Sequence, residues 1–395
     1  MAFARSNTDV GPEVEFSRLS ISRGYPMVLD GVGVPMVLDG VEISDLCSHL
    51  SSSAPSLSNL IFMAPLFLHR GIGSQAAKEN GFPTKYSLRT KMFRNETSFF
   101  IIRGITDDPQ LQVIIFCLVL FIYLTTLTGN LTFLLLVCFD HHLHSPMYIF
   151  LGNLSLVDIL CSTITQHNIL LSFITKDKSI SYISCMAQMY MFGSLTGQEL
   201  LILTAMGYDR YVAICRPLLY HNIMNKRTCV LLNGACWLWG FLQIMPPLGV
   251  FYTFTCYSSM MINHFFCDIL PLMKLSCNDI SLLHTFFFME CLVLIGSTPF
   301  ILTFISYVFI IRNILKIHST TGKRKAFYTC SSHLTVVLLL YTTLFSQYLS
   351  PELKNSTKLF ALFNTAVVPL LNPLIYSLKN KDVKAALKRR LILLK

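Results

Sequence analysis

The chain has 395 residues, of which 53% are hydrophobic and only 13% are charged. Because soluble domains carry about 25% charged residues, this composition argues against a soluble protein and favours one embedded in lipid. The net charge of +10 does not indicate a nucleic-acid partner, since the basic residues lie in short loops and at the C-terminus rather than on one patch.

Residues 1–91 differ from the rest of the chain, being rich in Ser and Gly and without a run long enough to span a membrane. The segment 26–32 is repeated at 35–41, but two short copies build neither a solenoid nor a core. We expect residues 1–91 to be a disordered extension or a gene-model artefact, and residues 92–395 to form the folded domain. Asn95 begins an Asn-Glu-Thr glycosylation motif in the segment 92–110.

Seven apolar runs follow, each long enough to cross about 30 Å of hydrocarbon. They cover approximately residues 111–139, 147–172, 186–212, 228–251, 282–311, 326–349 and 357–378. The seventh contains Pro369 and Pro373, which a spanning helix tolerates when neighbouring helices satisfy the freed carbonyl groups. The pattern predicts an all-α membrane protein built as a seven-transmembrane helix bundle.

Lys and Arg residues set the orientation of these spans. Fifteen lie in the loops after the third and fifth spans and in the tail 379–395, against five in the opposite loops. This bias puts the tail in the cytoplasm and the N-terminus outside. We expect the tail to form a short amphipathic helix whose basic residues meet anionic lipid headgroups, a solvated charged tail being the alternative. Its expected bilayer-facing residues are Val383, Ala386, Leu387 and Leu391.

The chain has thirteen cysteines, most of them inside apolar spans, where cysteine behaves as a small hydrophobic residue. Four fall in or beside loops on the outer side: Cys185, Cys256, Cys267 and Cys277. Four cysteines allow three pairings, and their spacing does not choose among them.

The most informative stretch is MGYDRYVAIC at 206–215, which closes the third span with the acid-base pair Asp209 and Arg210. Such a pair is costly at the end of a hydrocarbon-length run unless the two charges meet at the membrane edge. The stretch resembles the motif that ends the third helix of olfactory receptors, a branch of the rhodopsin-like G-protein-coupled receptors, with Gly207 where Ala is usual.

Four further stretches carry the same resemblance in family order, over residues 92–390. They are LHSPMY at 143–148, LSLVD at 154–158, KAFYTCSSHL at 325–334 and PLLNPLIYS at 369–377. The Leu-His-Ser-Pro form is similar to the tetrapod-type (class II) branch. The resemblance implies a plasma-membrane receptor in the cilia of olfactory sensory neurons that binds a small-molecule odorant and activates a stimulatory olfactory-type heterotrimeric G protein.

The resemblance also implies roles for individual residues. Asp209 and Arg210 would neutralise each other at rest, and their separation would free Arg210 to contact the G protein. The complete implied switch consists of Asp209, Arg210, Tyr211, Asn372, Pro373 and Tyr376. The resemblance pairs Cys185 with Cys267, which ties a long outer loop over the bundle, and pairs Cys256 with Cys277.

Two carboxylates, Asp158 and Glu199, lie in the middle of the second and third spans. In related receptors the matching acids contribute to a buried sodium site, with Asn130, Asn372 and Tyr376 nearby. The alternative is that one or both acids are protonated and hydrogen-bonded to their neighbours. Apart from a bound sodium ion, no cofactor or metal is expected.

The outer halves of the helices supply the candidate ligand site, since pockets in helical bundles are mostly apolar with few polar groups. The candidates are Phe192, Gly193, Thr196, Gly197, Tyr341, Leu344, Phe345 and Tyr348. Phe192 stands where an amine receptor carries an acid, and Glu290 in the fifth span either binds a cation or is a buried neutral acid. We therefore expect small, volatile, weakly polar ligands.

Other functions are less well supported by the sequence. It has no set of nucleophile, base and orienting residues, no phosphate-binding loop and no zinc-ligand spacing, so we expect no enzymatic activity. A receptor of the same fold for a non-odorant small molecule or lipid outside the nose remains an alternative. A transporter would show internal repeats with broken helices at matching positions, and the seven spans show none.

Overall fold

The computed structural model describes residues 93–94, 99–106, 108–289, 296–349 and 357–393. The expected N-terminal extension 1–91 and the glycosylation candidate Asn95 lie outside these residues. So does Glu290, which lies in the fifth predicted span.

Seven helical segments and a tail helix follow one another along the described chain. They are α1 (Pro109–Phe139), α2 (Pro146–Thr175), α3 (Tyr182–Cys215), α4 (Lys226–Gln243), α5 (Thr298–Lys316), α6 (Thr320–Leu349), α7 (Thr357–Leu362, a π-helical turn Phe363–Val367, then Val368–Lys379) and α8 (Lys381–Leu393). Shorter helices are Tyr220–Ile223, Met245–Tyr252 after α4, Ile269–Met273 and Ser281–Met289, with 3-10 turns at His141–Leu143 and Pro217–Leu219.

Within the described residues, six of the helical stretches are long and apolar enough to cross a membrane. The remaining one is α3, with 34 residues that include the buried acids Glu199 and Asp209. The observed order agrees with the seven predicted spans and with a seven-helix bundle. The main difference lies in the fifth span, predicted over 282–311: the described residues there form the short helix Ser281–Met289 and then α5 from Thr298 to Lys316, five residues past the predicted end. Helix α6 also begins at Thr320, six residues before its predicted start.

Capping side chains fix where several of these helices begin. Asp108 accepts a hydrogen bond from the backbone N–H of Gln110 at 2.9 Å, and Pro109 follows as a first-turn residue. Asn225 accepts in the same way from the N–H of Thr228 at 2.9 Å, where α4 begins. These short polar residues end the preceding loops, so the apolar runs start as helices at defined positions.

The interior of the bundle is packed around α3, whose Leu195, Ile202 and Met206 are fully buried. In contrast, α1 presents large apolar side chains outward, and Val113 and Phe121 are 65% and 67% exposed. A contiguous apolar exterior of this kind is unfavourable in water and is expected of a surface that meets lipid.

Short strands and two disulfides gather at one end of the bundle, which we call the disulfide end. Strand β1 (Phe93–Arg94) pairs antiparallel with β4 (Cys256–Tyr257). Strand β2 (Phe99–Ile102) lies between β3 (Ser179–Ser181, antiparallel) and β5 (Met261–Ile262, parallel). The all-α prediction missed these strands because two to four residues are too few to show a period-two pattern.

The tail helix α8 packs on the bundle, and this corrects one expectation. Val383 and Ala386, expected to face the bilayer, are 3% and 0% exposed and belong to the main core. Leu387 is 40% exposed and remains free to meet lipid. The amphipathic pattern was recognised, but a pattern does not distinguish a helix face covered by lipid from one covered by protein.

An ion pair fastens α8 to the turn after α1. Arg389 donates to Asp140 Oδ2 from Nε at 3.0 Å and from Nη2 at 2.6 Å, while His142 Nδ1 lies 2.9 Å from Asp140 Oδ1. Burial alone would raise the pKa of Asp140, but these hydrogen bonds and the guanidinium charge lower it to about 2. Asp140, His141 and His142 are close enough to share a metal ion, yet both Asp140 oxygens are already engaged.

We expect Asp140→Asn and Arg389→Gln to destabilise the folded protein non-additively, because each removes one partner of the same ion pair. A double-mutant cycle on purified protein in detergent should give a coupling of about 1 kcal/mol, a modest value because Arg389 is 43% exposed. Since the pKa of Asp140 is lowered in the folded state, the coupling should be present above about pH 4 and fade as the pH falls towards 2. Lys388→Gln, an exposed neighbouring charge, is the control, and additive effects of the two variants would contradict the assignment.

Candidate functional site

A cavity of about 100 Å³ lies inside the bundle near the disulfide end. All eight residues singled out from the sequence as ligand candidates line it: Phe192, Gly193, Thr196, Gly197, Tyr341, Leu344, Phe345 and Tyr348. The lining also includes residues that sequence reasoning did not select: Met189, Leu200, Ile244, Asp268, Ile269, Phe287 and Gly296. The candidates therefore line one cavity, whereas their role in ligand binding stays a prediction.

Aromatic rings form much of the cavity wall. Tyr341 lies 5.0 Å from Phe300 and 5.8 Å from Phe345, measured between ring centroids. Phe192 meets Phe266 of the loop above it at 4.8 Å with the rings inclined by 66°. Edge-to-face pairs of this kind hold the rings in place, so the wall is preformed.

Gly193 and Gly197 have a packing role besides lining the cavity. A Cβ atom on Gly193 would lie 2.7 Å from Ile244 Cδ1, and one on Gly197 would lie 1.6 Å from Gln243 Nε2. A larger residue at either position would force the Ile244 or Gln243 side chain to move. Substitutions at these two positions would therefore alter helix packing as well as the shape of the cavity.

A loop segment that follows β5 covers the cavity and is fastened to α3. Cys267 forms a disulfide with Cys185 near the start of α3, and its backbone N–H donates to Gln188 Oε1 at 2.9 Å. Gln188 also donates to the carbonyl of Ile164 at 2.7 Å, which ties the cover to α2. The second expected disulfide, Cys256–Cys277, is also formed.

Asp268 follows this disulfide directly and is the residue that sequence reasoning missed. It is 4% exposed and accepts a hydrogen bond from the backbone N–H of Ile269 at 2.8 Å. Gln347 Nε2 and the Tyr348 hydroxyl, both on α6, donate to its two oxygens at 3.3 Å each. Burial raises the pKa of Asp268 to about 6, against the lowering effect of these hydrogen bonds.

A cluster of buried polar residues lies between the cavity and the opposite end of the bundle. Asn372 on α7 donates through Nδ2 to both carboxylate oxygens of Asp158 on α2, at 3.1 and 3.0 Å. Asp158 is 1% exposed, and Glu199 on α3 is 5% exposed. The two expected acids and Asn372 thus occupy one buried region.

Asn130 lies on α1, where its Nδ2 donates to the carbonyl of Pro369 at 3.0 Å. That carbonyl is the one left free by Pro373, which has no N–H to donate four residues back. Gly129 leaves room for the proline ring, since a Cβ atom there would lie 3.2 Å from Pro373 Cγ. Asn130 therefore supports the irregular α7 directly, a role its sequence position alone did not reveal.

Several buried oxygens in this polar region have no hydrogen-bond partner among the described residues. They are Glu199 Oε1, Asn372 Oδ1 and Asn130 Oδ1. Buried acceptors are normally satisfied, so these atoms call for a water, a proton or a cation. Two carboxyl groups and two amide oxygens form a donor set that fits a hard cation such as Na⁺.

The opposite end of the bundle, which we call the arginine end, carries Asp209 and Arg210. The direct ion pair expected between them is not formed: Asp209 accepts from the Tyr220 hydroxyl at 2.9 Å, and Arg210 Nε has no partner within the described residues. The described ion pairs are those of Asp140. Adjacent residues on a helix point in different directions, so a sequence neighbour is a poor ion-pair partner.

His333 joins three helices near Arg210 and was not selected from the sequence. Its Nε2 lies 2.9 Å from the carbonyl oxygen of Leu203 on α3, so that nitrogen carries the hydrogen. Its Nδ1 then accepts from the Tyr307 hydroxyl of α5 at 2.7 Å. The signal available in the sequence was a polar ring within a predicted span, and His333 is fully buried.

Comparisons with known proteins agree with this architecture. A family model described as olfactory receptor matches residues 116–394. Human olfactory receptor 6C3 is 44% identical over 292 residues, which cover 73% of this chain and 94% of the relative. Human olfactory receptor 6C74 is 44% identical over 75% of this chain and 96% of its own length, and mouse olfactory receptor 5AR1 is 44% identical over 73% and 94%. The chain belongs to the olfactory receptor family.

Proposed function

We propose that this protein is an odorant receptor that binds a small, mostly apolar molecule in the cavity beneath the Cys185–Cys267 disulfide. The observation that carries the proposal is the cavity itself, about 100 Å³ in volume and walled largely by aromatic and aliphatic side chains. A space of this size suits a compact molecule held by dispersion forces and one or two hydrogen bonds. Because such ligands have few atoms, their affinity is modest.

Two features, one at each end of the bundle, support the proposed orientation of the receptor. Disulfides persist in oxidising compartments, so the disulfide end faces outward and receives the odorant. The arginine end carries the Lys and Arg excess and faces the cytoplasm. We place the protein in the plasma membrane of olfactory cilia, with basic residues of α8 beside anionic lipid headgroups.

Signalling requires the odorant to bind one arrangement of the bundle more tightly than another, since equal affinity would shift no equilibrium. Cavity residues Tyr341 and Leu344 lie on α6, the helix that also carries His333 near the arginine end. A shift of α6 would break the His333 contacts to α3 and α5 and expose Arg210 to a heterotrimeric G protein. We propose the stimulatory olfactory type, which raises cyclic AMP.

Within this mechanism the Asp158–Glu199 region holds a sodium ion. Its support is the set of unpartnered oxygens on Glu199, Asn372 and Asn130 beside the Asp158 carboxylate. The ion would offset the two buried acidic charges and favour the arrangement in which α2, α3 and α7 remain together. A shared proton is the competing account of the same oxygens.

The receptor function is tested by a cyclic-AMP assay in cells expressing the full chain, screened against a broad odorant panel. We expect Leu344→Ala to lower potency by about tenfold, because it removes apolar contact with the ligand. Leu338→Ala makes the same change on an outward face of α6, where Leu338 is 50% exposed, and should leave potency unchanged.

In the same assay Arg210→Ala should abolish the response at equal surface expression, whereas Arg227→Ala, an exposed arginine at the same end, should preserve it. A receptor that reaches the surface and stays silent to the whole panel would contradict the proposal. Equal effects of Leu344→Ala and Leu338→Ala would show that the cavity is not the binding site.

The sodium proposal predicts a cation-specific gain in stability. Purified receptor should unfold at a higher temperature in sodium chloride than in N-methylglucamine chloride, since bound sodium adds about 1.4 kcal/mol to the free energy of unfolding at roughly ten times the dissociation constant. Asp158→Asn and Glu199→Gln should remove the difference, while Asp209→Asn, a buried acid at the arginine end, should retain it. No sodium effect on the wild type would favour the shared proton instead.

A further inference from the structure

Asp268 gives the cavity a chemical preference that its apolar wall does not. Among the cavity-lining residues that the structure describes, Asp268 is the one with a carboxylate side chain. That side chain is almost completely buried. It reaches the cavity from the covering loop, not from α3, where amine receptors carry their acid. The sequence expectation of a weakly polar pocket therefore overlooks one strongly polar group.

Few polar side chains of the lining are free to bind a ligand. Thr196 donates its hydroxyl to the carbonyl of Phe192 on its own helix at 2.9 Å. Tyr348 donates to Asp268. Within the described part of the chain, the Tyr341 hydroxyl has no hydrogen-bond partner. Tyr341 precedes Tyr348 by seven residues, or about 10 Å along the axis of α6. Among the described lining residues, the Thr196 oxygen can still accept a hydrogen bond, but Asp268 and Tyr341 are the polar side chains with the most open hydrogen-bonding capacity.

Asp268 keeps room for another donor. An ionised carboxylate has about four acceptor positions, and three donors reach Asp268: the Ile269 N–H at 2.8 Å, with Gln347 and Tyr348 at 3.3 Å each. The two bonds from α6 are longer than the usual range, so they satisfy the carboxylate only weakly. With a pKa of about 6, the group is mostly ionised at neutral pH and acts as an acceptor.

No cation compensates this buried charge within the described residues, since the ion pairs there are formed by Asp140. The nearest basic influence comes from Lys274 on the same loop, and Tyr348 and Gln347 face Asp268 from α6. Burying a carboxylate without a cation is costly. A ligand that places a hydrogen-bond donor beside Asp268 offsets part of this unfavourable free energy, and an ammonium group offsets the most.

We propose that Asp268 makes this receptor selective for small apolar molecules that carry a hydroxyl or amino group, with the O–H or N–H donated to the Asp268 carboxylate. The apolar body of the ligand lies against the aromatic wall formed by Phe192, Tyr341 and Phe345. Ethers, esters and hydrocarbons offer no donor, and the oxygens of the first two would face the carboxylate lone pairs. The inference rests on the proposed odorant-receptor function, because it assigns a ligand class to the same cavity.

The test compares ligands of one shape that differ in a single group. Benzyl alcohol, benzylamine, benzyl methyl ether and ethylbenzene form one series, and the corresponding cyclohexylmethyl compounds form a second. Full-length receptor is assayed for cyclic AMP in cells, and purified receptor is assayed for thermal stabilisation by the same compounds. Within each series we expect the alcohol and the amine to be at least about tenfold more potent than the ether and the hydrocarbon.

Asp268→Asn keeps the size of the side chain and an acceptor oxygen for the Ile269 N–H, but removes the charge. It should lower the potency of the alcohol by about tenfold and that of the amine by more, with little change for the ether and the hydrocarbon. Asp268→Glu keeps the charge and should keep the preference for donors. A loss of that preference in Asp268→Asn alone is therefore not a general effect of substituting this position. Asp279→Asn, an exposed acid on the same loop, is the matched control and should behave as the wild type.

Three outcomes are distinguishable. Preference for donors in the wild type and in Asp279→Asn, lost in Asp268→Asn and kept in Asp268→Glu, supports the assignment. Equal potency of all four compounds in a series, or an unchanged ranking in Asp268→Asn, overturns the role of Asp268 while the receptor function stands. A wild-type receptor that neither signals nor is stabilised by any odorant overturns the proposed function and this inference together.

Discussion

The fold depends on one constraint: a polar group buried in a membrane-length bundle must find its partner inside the protein. The contact between Asn372 and Asp158 is the central case, because it joins α7 to α2 at the level where the bundle is most polar. Asn130 meets the same requirement by donating a hydrogen bond to the Pro369 carbonyl, which Pro373 leaves free. These contacts make an irregular seventh helix tolerable and leave it able to repack.

The two ends of the bundle, on either side of this polar region, contain different kinds of interaction. Towards the disulfide end, aromatic packing and a disulfide-anchored loop border a cavity, and Asp268 is the acidic residue among its described lining residues. Towards the arginine end, Asp209 is held by Tyr220, while His333 links α3, α5 and α6. The same helix, α6, contributes to both regions. A change in the cavity that moves α6 therefore has a direct physical route to Arg210.

The sequence predicted the features that are encoded by long apolar runs or by whole motifs. It did not predict those that depend on the direction in which a side chain points. Apolar length located the helices, and the outer halves of those helices supplied eight candidates that line one cavity. The expected Asp209–Arg210 ion pair is not formed in this structure because neighbouring helical residues diverge, and their role as a switch stays a prediction. Val383 was misplaced because a pattern does not say what covers a helix face. Asp268 was missed because a loop acid carries no periodic signal, and only the covering loop's path brings it to the cavity.

The central claim is that a ligand in the cavity opens the arginine end. Its most direct test is the distance between spin labels at His221, in the loop helix Tyr220–Ile223, and Thr321, at the start of α6, on a background with the exposed Cys117 replaced. Double electron–electron resonance on purified receptor should show a longer label separation when an activating odorant is added, and the Asp268→Asn variant should require more odorant alcohol for the same change. A distance distribution that an activating odorant leaves unchanged would contradict the account.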